Sequence, residues 1–325
     1  MQEKERESLF ETIDITKYPM KKLIAIPLIV LLISFAVLTY TYMQPPVYPH
    51  APHSPVRLGL DFTGGTMVNI RTNETSEELT AKFSAYPDVL VGKTDVGNEK
   101  MIRFGPMSET QKEALEDMLE SHYAGHYEIP KSMDPVFGEQ FRIQALYAVT
   151  IAFLLMAIVV FVVFRTFIPP IAVIFAAFSD IVIAVACMDI VGLELSLGTV
   201  AALLMLIGYS VDSNILLTTN LLRKKGDLNE KVRNAMKTGI TMTSTTLSAV
   251  FAMFIVSSSI HFFSAHFAPI PILRDISVVL LFGLVMDLMN TWLLNAGILR
   301  WYIEAKERKR YGKRGMGKER VKKKK

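Results

Sequence analysis

Long apolar runs recur six times along the sequence and are separated by polar segments. Each run is close to or above 20 residues, the length at which an α-helix crosses about 30 Å of hydrocarbon. The pattern therefore predicts six membrane-spanning helices, at residues 23–43, 143–164, 168–189, 195–222, 238–259 and 276–299. Lys21 and Lys22 precede the first run as in a signal peptide, but the run is too long and lacks a small-x-small cleavage site, so we expect an uncleaved anchor.

The segment between the first two runs has the pattern of a small mixed domain. It begins with a proline-rich spacer, residues 44–55, which we expect to be stiff and extended. Beyond it, Thr75 with Glu78 and Ser108 with Gln111 have the spacing of capping boxes, which open helices; the first helix is predicted to run to about residue 86. Strands are predicted at 65–72, 89–96, 99–105 and 126–130. The order β-α-β-β-α-β is the ferredoxin-like arrangement.

Composition and charge indicate a multi-pass protein of the cell membrane. The chain is 51% hydrophobic and 20% charged, with a mean hydropathy of +0.33. Lys and Arg are concentrated in the N-terminal segment, the loop 223–237 and the C-terminal tail, whereas 190–194 and 260–275 together contain only Arg274. Short basic loops stay in the cytoplasm, so both termini are predicted to be cytoplasmic and the mixed domain to face outward.

This topology predicts five parts of the chain. They are a cytoplasmic N-terminus (1–22), a first membrane helix (23–43), an extracytoplasmic domain (44–142), a bundle of five further membrane helices (143–299) and a basic cytoplasmic tail (300–325). The tail could bind a nucleic acid or a ribosome, but attraction to anionic lipid, worth about 1 kcal/mol per basic residue, is the favoured interpretation. No nucleic-acid partner is expected.

Three acidic residues lie inside the predicted spans, away from the span ends. Asp180, Asp212 and Asp287 fall near mid-membrane when each span is measured at about 1.5 Å per residue. Because a carboxylate in hydrocarbon is costly, each is a candidate for a proton or ion pathway, and Asp212 is the first candidate. A structural hydrogen bond remains open for Asp180, as does a structural polar pair with Asn290 for Asp287.

A stripe of hydroxyl groups marks one face of the fifth span, at Thr238, Thr241, Thr245 and Ser248. Thr245 and Ser248 lie at the depth of the acids, as a water-filled or hydrogen-bonded proton path requires, although helix packing by small polar residues explains the stripe equally well. Four glycines in or next to the spans are predicted to be close-packing points and not hinges, at Gly192, Gly198, Gly208 and Gly283.

Other chemistry is not indicated by the sequence. The only cysteine is Cys187, which leaves no intrachain disulfide. Gly64 and Gly65 lack the spacing of a phosphate loop and are predicted to form a tight turn into the first strand. His261 and His266 are five residues apart, which does not place two ligands on one helical face, so we expect neither a metal site nor a cofactor.

Taken together, several motifs resemble the SecF family of membrane subunits. They follow in order over roughly residues 20 to 300: GLDFTGG (59–65), DPVFGEQFRIQA (134–145), FSD (178–180), GYSVDSNILL (208–217), KTGITMTSTTLS (237–248) and LRDISVVLLFGLV (273–285). The family-motif residues are Gly59, Asp61, Phe62, Gly64, Gly65, Pro135, Gly138, Gly208, Tyr209 and Ser210.

The resemblance implies half of a resistance-nodulation-division transporter, with six helices. A SecD-like subunit would complete it, and both would work with the Sec protein-conducting channel on exported, unfolded polypeptides. The chain would not be an enzyme but a subunit that couples the proton-motive force to translocation. Asp212 would take up a proton from outside and release it inward, and its charge would bias the packing of the two halves.

Two departures from the pattern of bacterial relatives indicate an archaeal-type member. The acid of the fourth span comes one position earlier, as Asp212 followed by Ser213 and Asn214, and Lys237 stands where those relatives place an arginine. Proton and sodium therefore both remain open as the coupling ion. Two other classes also remain open: a small-molecule permease of the same superfamily and a non-transporting assembly factor, which would not require the acids.

Overall fold

The computed structural model describes residues 19–49, 51–93, 99–224, 226–263 and 271–308, so the two termini, on which the predicted orientation and lipid-binding tail depend, lie outside the description. The helices are α1 (Met20–Met43), α2 (Leu60–Thr63), α3 (Ser76–Lys82), α4 (Glu109–Tyr123), α5 (Pro135–Phe164), α6 (Ile168–Ile190), α7 (Leu197–Arg223), α8 (Leu228–Phe263), α9 (Pro271–Met289) and, after a π-helical segment (Asn290–Asn295), α10 (296–308). The strands are β1 (Gly65–Arg71), β2 (Leu90–Lys93), β3 (Glu99–Phe104) and β4 (Tyr127–Met133).

Five helices in the described part of the chain are long and apolar enough to cross a membrane, namely α1, α5, α6, α7 and α8. The sixth predicted span, 276–299, is not one regular α-helix. It crosses the end of α9, the π-helical segment and the start of α10. In addition, α9 itself is 19 residues long and carries Arg274, Asp275 and Asp287.

Two of the membrane helices begin well before their apolar runs, because an aspartate caps each of them. Helix α5 begins eight residues before the predicted start at 143, where Asp134 accepts a hydrogen bond from the backbone N–H of Val136 (2.8 Å) and Pro135 occupies the first helical position. Helix α8 begins ten residues before the predicted start at 238, and Asp227 accepts from the N–H of Asn229 (3.0 Å). Caps, and not hydropathy, set these starts.

The mixed domain has the predicted order of elements, preceded by the short helix α2. Its sheet is antiparallel with strand order β2-β3-β1-β4. Both capping boxes are confirmed, at the N-termini of α3 and α4. Helix α3 ends at Lys82, four residues earlier than predicted. The strands β2 and β3 pair as the predicted hairpin, whose turn at 97–98 lies outside the described residues.

The chain divides into two compact units. The sheet unit comprises residues 37–148 and 189–200, and the helical unit comprises the remaining described residues. In the sheet unit, one face of the sheet packs against α3 and α4 around Ile70, Phe83, Phe104 and Leu115. In the helical unit, one apolar core joins α5, α6 and α7, and a second joins α1, α7 and α8 to the π-helical segment around Trp292.

Candidate functional site

Asp180 lies within α6 and its side chain is completely buried. Its carboxylate accepts a hydrogen bond from the hydroxyl of Ser210 on α7, with 2.6 Å between Oγ and Oδ2. It accepts a second from the side-chain amide of Asn290, with 2.6 Å between Nδ2 and Oδ1. One buried acid therefore joins α6, α7 and the π-helical segment through two short hydrogen bonds, both from neutral donors.

Asp287, near the end of α9, is the second buried acid of this region. The Ser213 hydroxyl lies 3.0 Å from each of its carboxylate oxygens, and the Thr291 hydroxyl lies 3.1 Å from Oδ1. The carboxyl groups of Asp180 and Asp287 are near enough to influence each other electrostatically. We call the group formed by Asp180, Ser210, Ser213, Asp287, Asn290 and Thr291 the acid cluster.

A pair of side-chain amides adjoins the acid cluster. The Asn214 amide donates to the backbone carbonyl of Ser210 (2.7 Å), and the Asn295 amide donates to Oδ1 of Asn214 (2.6 Å). The π-helical segment explains how Asn290 and Asn295 both reach this region, where Asn290 binds Asp180 of α6 and Asn295 binds Asn214 of α7. Its hydrogen bonds run from residue i to i+5, which makes residues five apart near neighbours. A regular α-helix would turn them to different faces.

Sequence reasoning missed four of these residues, namely Ser213, Asn214, Thr291 and Asn295. The signal was present. Ser210, Ser213, Asn214 and Thr218 are polar residues at spacings of three and four in an apolar run, which places them on one helical face. The same spacing relates Asp287 to Thr291.

Asp212 lies apart from the acid cluster. At 100° per residue it is about 200° around α7 from Ser210, and its side chain is exposed. It lines an open groove of about 600 Å³ between α5 and α7, together with Gly208 and Tyr209. Nothing in the described residues comes within 4 Å of a Cβ built on Gly208, so the predicted close packing at that position is wrong within this chain.

At Gly283, by contrast, close packing is confirmed. A Cβ there would lie 2.4 Å from the Leu206 side chain on α7. Gly192 instead takes a left-handed backbone conformation (φ +75°) in the turn after α6. The glycines predicted as packing points are thus of different kinds, and only the environment of each one distinguishes them.

The hydroxyl stripe of α8 is also separate from the buried acids. Thr245 and Ser248 are exposed, and each donates to a carbonyl of its own helix, at 2.7 Å and 2.8 Å. Lys237, the residue directly before the stripe, is exposed too. Of the six residues predicted for a pathway, the structure therefore brings together Asp180 and Asp287.

The family-motif glycines of the sheet unit meet at one place. Gly64 (φ +78°) and Gly65 (φ +119°) turn the chain from α2 into β1, which confirms the predicted tight turn. A Cβ on Gly65 would lie 2.4 Å from the carbonyl oxygen of Phe104, and one on Gly64 would lie 2.7 Å from Cα of Pro135. A Cβ on Gly138 would lie 3.1 Å from the backbone nitrogen of Gly64. Backbone approach, and not a ligand, requires these glycines.

The same segment touches the loop between α6 and α7. The N–H of Gly59 donates to the carbonyl of Leu195 (2.8 Å), and the N–H of Leu195 donates to the carbonyl of Arg57 (2.7 Å). Asp61, which is 5% exposed, binds Lys131 of β4 with Oδ1 (2.7 Å) and accepts from the N–H of Leu197 with Oδ2 (3.0 Å). We call residues 57–65, 134–138 and 194–197 the GG junction.

A partly buried polar triad lies beside the GG junction. Arg103 of β3 donates to the hydroxyl of Tyr48 (2.6 Å) and forms a short ion pair with Glu194. Burial, together with the negative charge of Glu194, raises the pKa of Tyr48 to about 12. The triad therefore joins the proline-rich spacer, the sheet and the loop before α7 through a neutral phenol and one ion pair.

No metal centre is formed by the residues described. Within those ranges, no three side chains of His, Cys, Asp or Glu gather as a metal site would require. The side chains of His261 and His266 lie outside the description. Cys187 is a half-buried residue of α6.

Comparison with known proteins places these features in a family. Residues 113–305, more than half of the chain, match the family described as protein export membrane protein SecD/SecF, C-terminal. Residues 52–75, which include Gly59, Gly64 and Gly65 of the junction, match the SecD/SecF GG motif. The chain is 43% identical over 295 residues to the protein-export membrane protein SecF of Methanolacinia petrolearia, covering 90% of this chain and 97% of that protein. It is 43% identical over 293 residues to SecF of Haloferax volcanii, covering 89% and 95%.

The fold is similar to that of a solved membrane protein. The crystal structure of SecDF, a translocon-associated membrane protein from Thermus thermophilus, superposes with a TM-score of 0.67 at 22% identity. The match covers 87% of this chain but 38% of that longer chain, so this chain corresponds to part of it. On the extent of the family match and the identity to full-length relatives, the chain belongs to the SecF family.

Proposed function

We propose that this chain is a SecF-like subunit that promotes the export of proteins across the cell membrane by means of the proton-motive force. It would work with a SecD-like subunit and the Sec channel on unfolded polypeptides. The observation that carries the coupling mechanism is the pair of buried acids, Asp180 and Asp287, which are held by neutral hydroxyl and amide donors of one connected cluster. An ionisable group inside a membrane bundle is expected to serve transport.

In this mechanism the acid pair holds and releases one proton. Two adjacent carboxylates away from water repel each other when both are charged, whereas one proton between them turns the repulsion into a hydrogen bond. The neighbouring groups suit both states. Hydroxyls of Ser210 and Ser213 can donate or accept, and the Asn290 amide, whose Oδ1 has no hydrogen-bond partner among the described residues, can turn to accept from a protonated Asp180.

The exposed polar residues of the spans would complete the pathway at the contact with the second half. Asp212 lines a groove, and Thr245, Ser248 and Lys237 are exposed on α8. Polar side chains are unfavourable against lipid, so these faces are expected to meet the SecD-like subunit or a water-filled space. Asp212 would then exchange the proton on one side of α7 while the buried pair stores it on the other.

The proposed architecture has six membrane spans and a ferredoxin-like domain that faces outward. The sixth span would consist of α9, the π-helical segment and the start of α10. The antiparallel strand order β2-β3-β1-β4 with two helices on one face supports a ferredoxin-like domain. Both termini would lie in the cytoplasm, where the basic tail would bind anionic lipid.

The test uses the chain and its SecD-like partner reconstituted with the Sec channel in proteoliposomes. Export of an unfolded substrate is measured with and without an imposed proton gradient, for wild type and for Asp180→Asn, Asp287→Asn and Asp212→Asn. Asn is nearly isosteric but cannot exchange a proton. We expect each substitution to reduce the gradient-dependent part of export by about tenfold or more, while gradient-independent export stays at the wild-type level.

Asp117→Asn is the matched control, because Asp117 is an exposed acid of α4. It should leave export unchanged. An assembly factor would give full gradient-dependent export in all three variants, provided that each assembles, and that result would contradict the proposal. A sodium gradient in place of the proton gradient identifies the coupling ion. Recovery of only a homo-oligomer that conducts ions alone would instead favour the permease class.

A further inference from the structure

Asp61 binds two elements at once with a single buried carboxylate. Oδ1 pairs with Lys131 of β4 at 2.7 Å, and Oδ2 accepts from the backbone N–H of Leu197 at 3.0 Å. Leu197 is the first residue of α7 and lies 136 positions after Asp61 in the chain. The strand and the start of the helix are therefore held through the same side chain.

The N-terminus of α7 requires such a partner. The first N–H groups of a helix have no acceptor within it. Ser196 and Thr199 satisfy two of these groups reciprocally, at 2.7 Å and 3.2 Å. The N–H of Leu197 is left for Asp61, whose negative charge also interacts favourably with the helix dipole. A residue of the sheet unit thus supplies what is normally a local cap.

The segment that carries Asp61 is rigidly held. It is bonded to Leu195 by the N–H of Gly59, where a Cβ would lie 2.9 Å from the Leu195 carbonyl oxygen. On the other side of the segment, Gly138 of α5 lies close to Phe62: a Cβ built on Gly138 would be 3.2 Å from the carbonyl carbon of Phe62. Because the backbone segments are close-packed here, a displacement of one segment must either carry the other with it or break the contacts between them.

Helix α7 leads from this point to the acid cluster. It is one continuous helix from Leu197 to Arg223, and Ser210 lies 13 residues along it, about 20 Å from its start. Ser210 and Ser213 bind the two buried acids. A shift or rotation of α7 that accompanies a change at the acids would therefore act on whatever holds the helix at its outer end.

We propose that Asp61 is a positioning residue that couples the sheet domain to α7, so that the state of the acid cluster and the position of β4 are linked. What the coupling is used for rests on the proposed function. The linkage between the two sites does not, because it would exist whether or not protein export uses it. Coupling of this kind is reciprocal and is measured as the effect of one site on the other.

The experiment measures hydrogen exchange of the backbone in the purified complex with its SecD-like partner. Asp287→Asn serves as the trigger at the acid cluster, and exchange is followed in β4 (Tyr127–Met133). In the background with native Asp61, the trigger should change exchange in β4 by about fivefold or more, the lower end of usual allosteric coupling. In Asp61→Ala the same trigger should leave β4 unchanged, even if its basal exchange is faster.

A charge swap separates the coupling from the ion pair alone. Asp61→Lys with Lys131→Asp restores opposite charges, but a lysine cannot accept from the N–H of Leu197, so the response of β4 should stay absent. Lys112→Gln breaks the exposed pair with Glu109 and should keep the full response. Three outcomes would overturn the proposal. They are a trigger response in Asp61→Ala as large as with native Asp61, a response in the charge-swap variant, and no response with native Asp61. Loss of gradient-driven export alone would bear on the proposed function and not on this linkage.

Discussion

The acid cluster and the GG junction are both built around buried carboxylates, but the carboxylates are compensated differently. At the junction, Asp61 has an ammonium group on one oxygen and a helix N-terminus on the other. In the cluster, Asp180 and Asp287 have each other and a set of neutral hydroxyls and amides. The first carboxylate is paired with a cation and a helix N-terminus, whereas the second group brings together two acids that would repel each other if both were charged.

The difference indicates which acid supports a fixed structure and which can change state. A charge that is fully paired loses stability when it is neutralised, because its partner is left without a counter-charge. A pair of like charges loses little stability, or gains some, when one of the two charges is neutralised. Backbone geometry agrees with this division: the junction contains two glycines with left-handed φ angles against neighbouring backbone, whereas the cluster includes a π-helical segment, a feature frequent at functional sites.

The largest expected effect comes from filling the junction. Gly65→Ala introduces a Cβ 2.4 Å from the Phe104 carbonyl oxygen at a φ of +119°. A backbone oxygen cannot move aside as a side chain can, so we expect a loss of about 3 kcal/mol or more in the free energy of unfolding. Thermal unfolding in detergent, with exchange in β1 and β3 as a local probe, measures it.

Two other glycines serve as matched controls. Gly125 has φ +71° with nothing in the described residues within 4 Å of a built Cβ, so Gly125→Ala isolates the conformational cost, about 1 kcal/mol. Gly208→Ala in α7 should be neutral or slightly stabilising in the chain alone. Equal losses for Gly65→Ala and Gly125→Ala would mean that steric contact at the junction is unimportant.

The second prediction tests the charge argument directly. Asp61→Asn should destabilise the chain by about 1–3 kcal/mol, because Lys131 loses its counter-charge and α7 loses a negative charge at its N-terminus. Asp287→Asn should change stability by less than about 1 kcal/mol, because it relieves repulsion with Asp180 and the amide still hydrogen-bonds. Denaturant unfolding of both variants under one condition measures the contrast. The reverse order would remove the distinction between the two regions.

Sequence patterns predicted the mixed domain well because capping boxes and strand alternation are local. Thr75 with Glu78 and Ser108 with Gln111 each fixed a helix start. The acid cluster was only half predictable. Helical spacing separates Asp212 from Ser210 and groups Ser210 with Asn214, but the contact of Asp180 with Asp287 depends on how three helices pack, and the π turn at 290–295 has no simple local signal. Nor could a local rule find Asp61 at the start of α7, because the contact joins distant parts of the chain.

A smaller effect concerns the triad beside the junction. Burial and then Glu194 raise the pKa of Tyr48 to about 12, so the folded state keeps a proton that the unfolded state loses above about pH 10. Stability from this group is complete below pH 10 and is lost as the pH rises from 10 to 12. Between pH 9 and pH 11 the wild type should therefore lose about 1.4 kcal/mol relative to Tyr48→Phe, which has no titrating group. If the free energy of unfolding changed with pH to the same extent in the two proteins across this range, the assigned environment of Tyr48 would be contradicted.

The smallest effect is expected on the hydroxyl stripe, where it distinguishes a proton path from helix packing. Thr245 is exposed and donates to a carbonyl of its own helix, so Thr245→Val should change the stability of the chain alone by less than about 0.5 kcal/mol. Thr80→Val is the matched control, because Thr80 is also exposed and also donates to a carbonyl of its own helix, α3 of the mixed domain. If the stripe packs against the SecD-like subunit, Thr245→Val should weaken co-purification and Thr80→Val should not. If the stripe conducts protons, the complex should stay intact and gradient-dependent export should fall, because valine can neither donate nor accept a hydrogen bond. A loss above about 1 kcal/mol in the chain alone would show that the stripe is already buried within this chain, contrary to its exposed position.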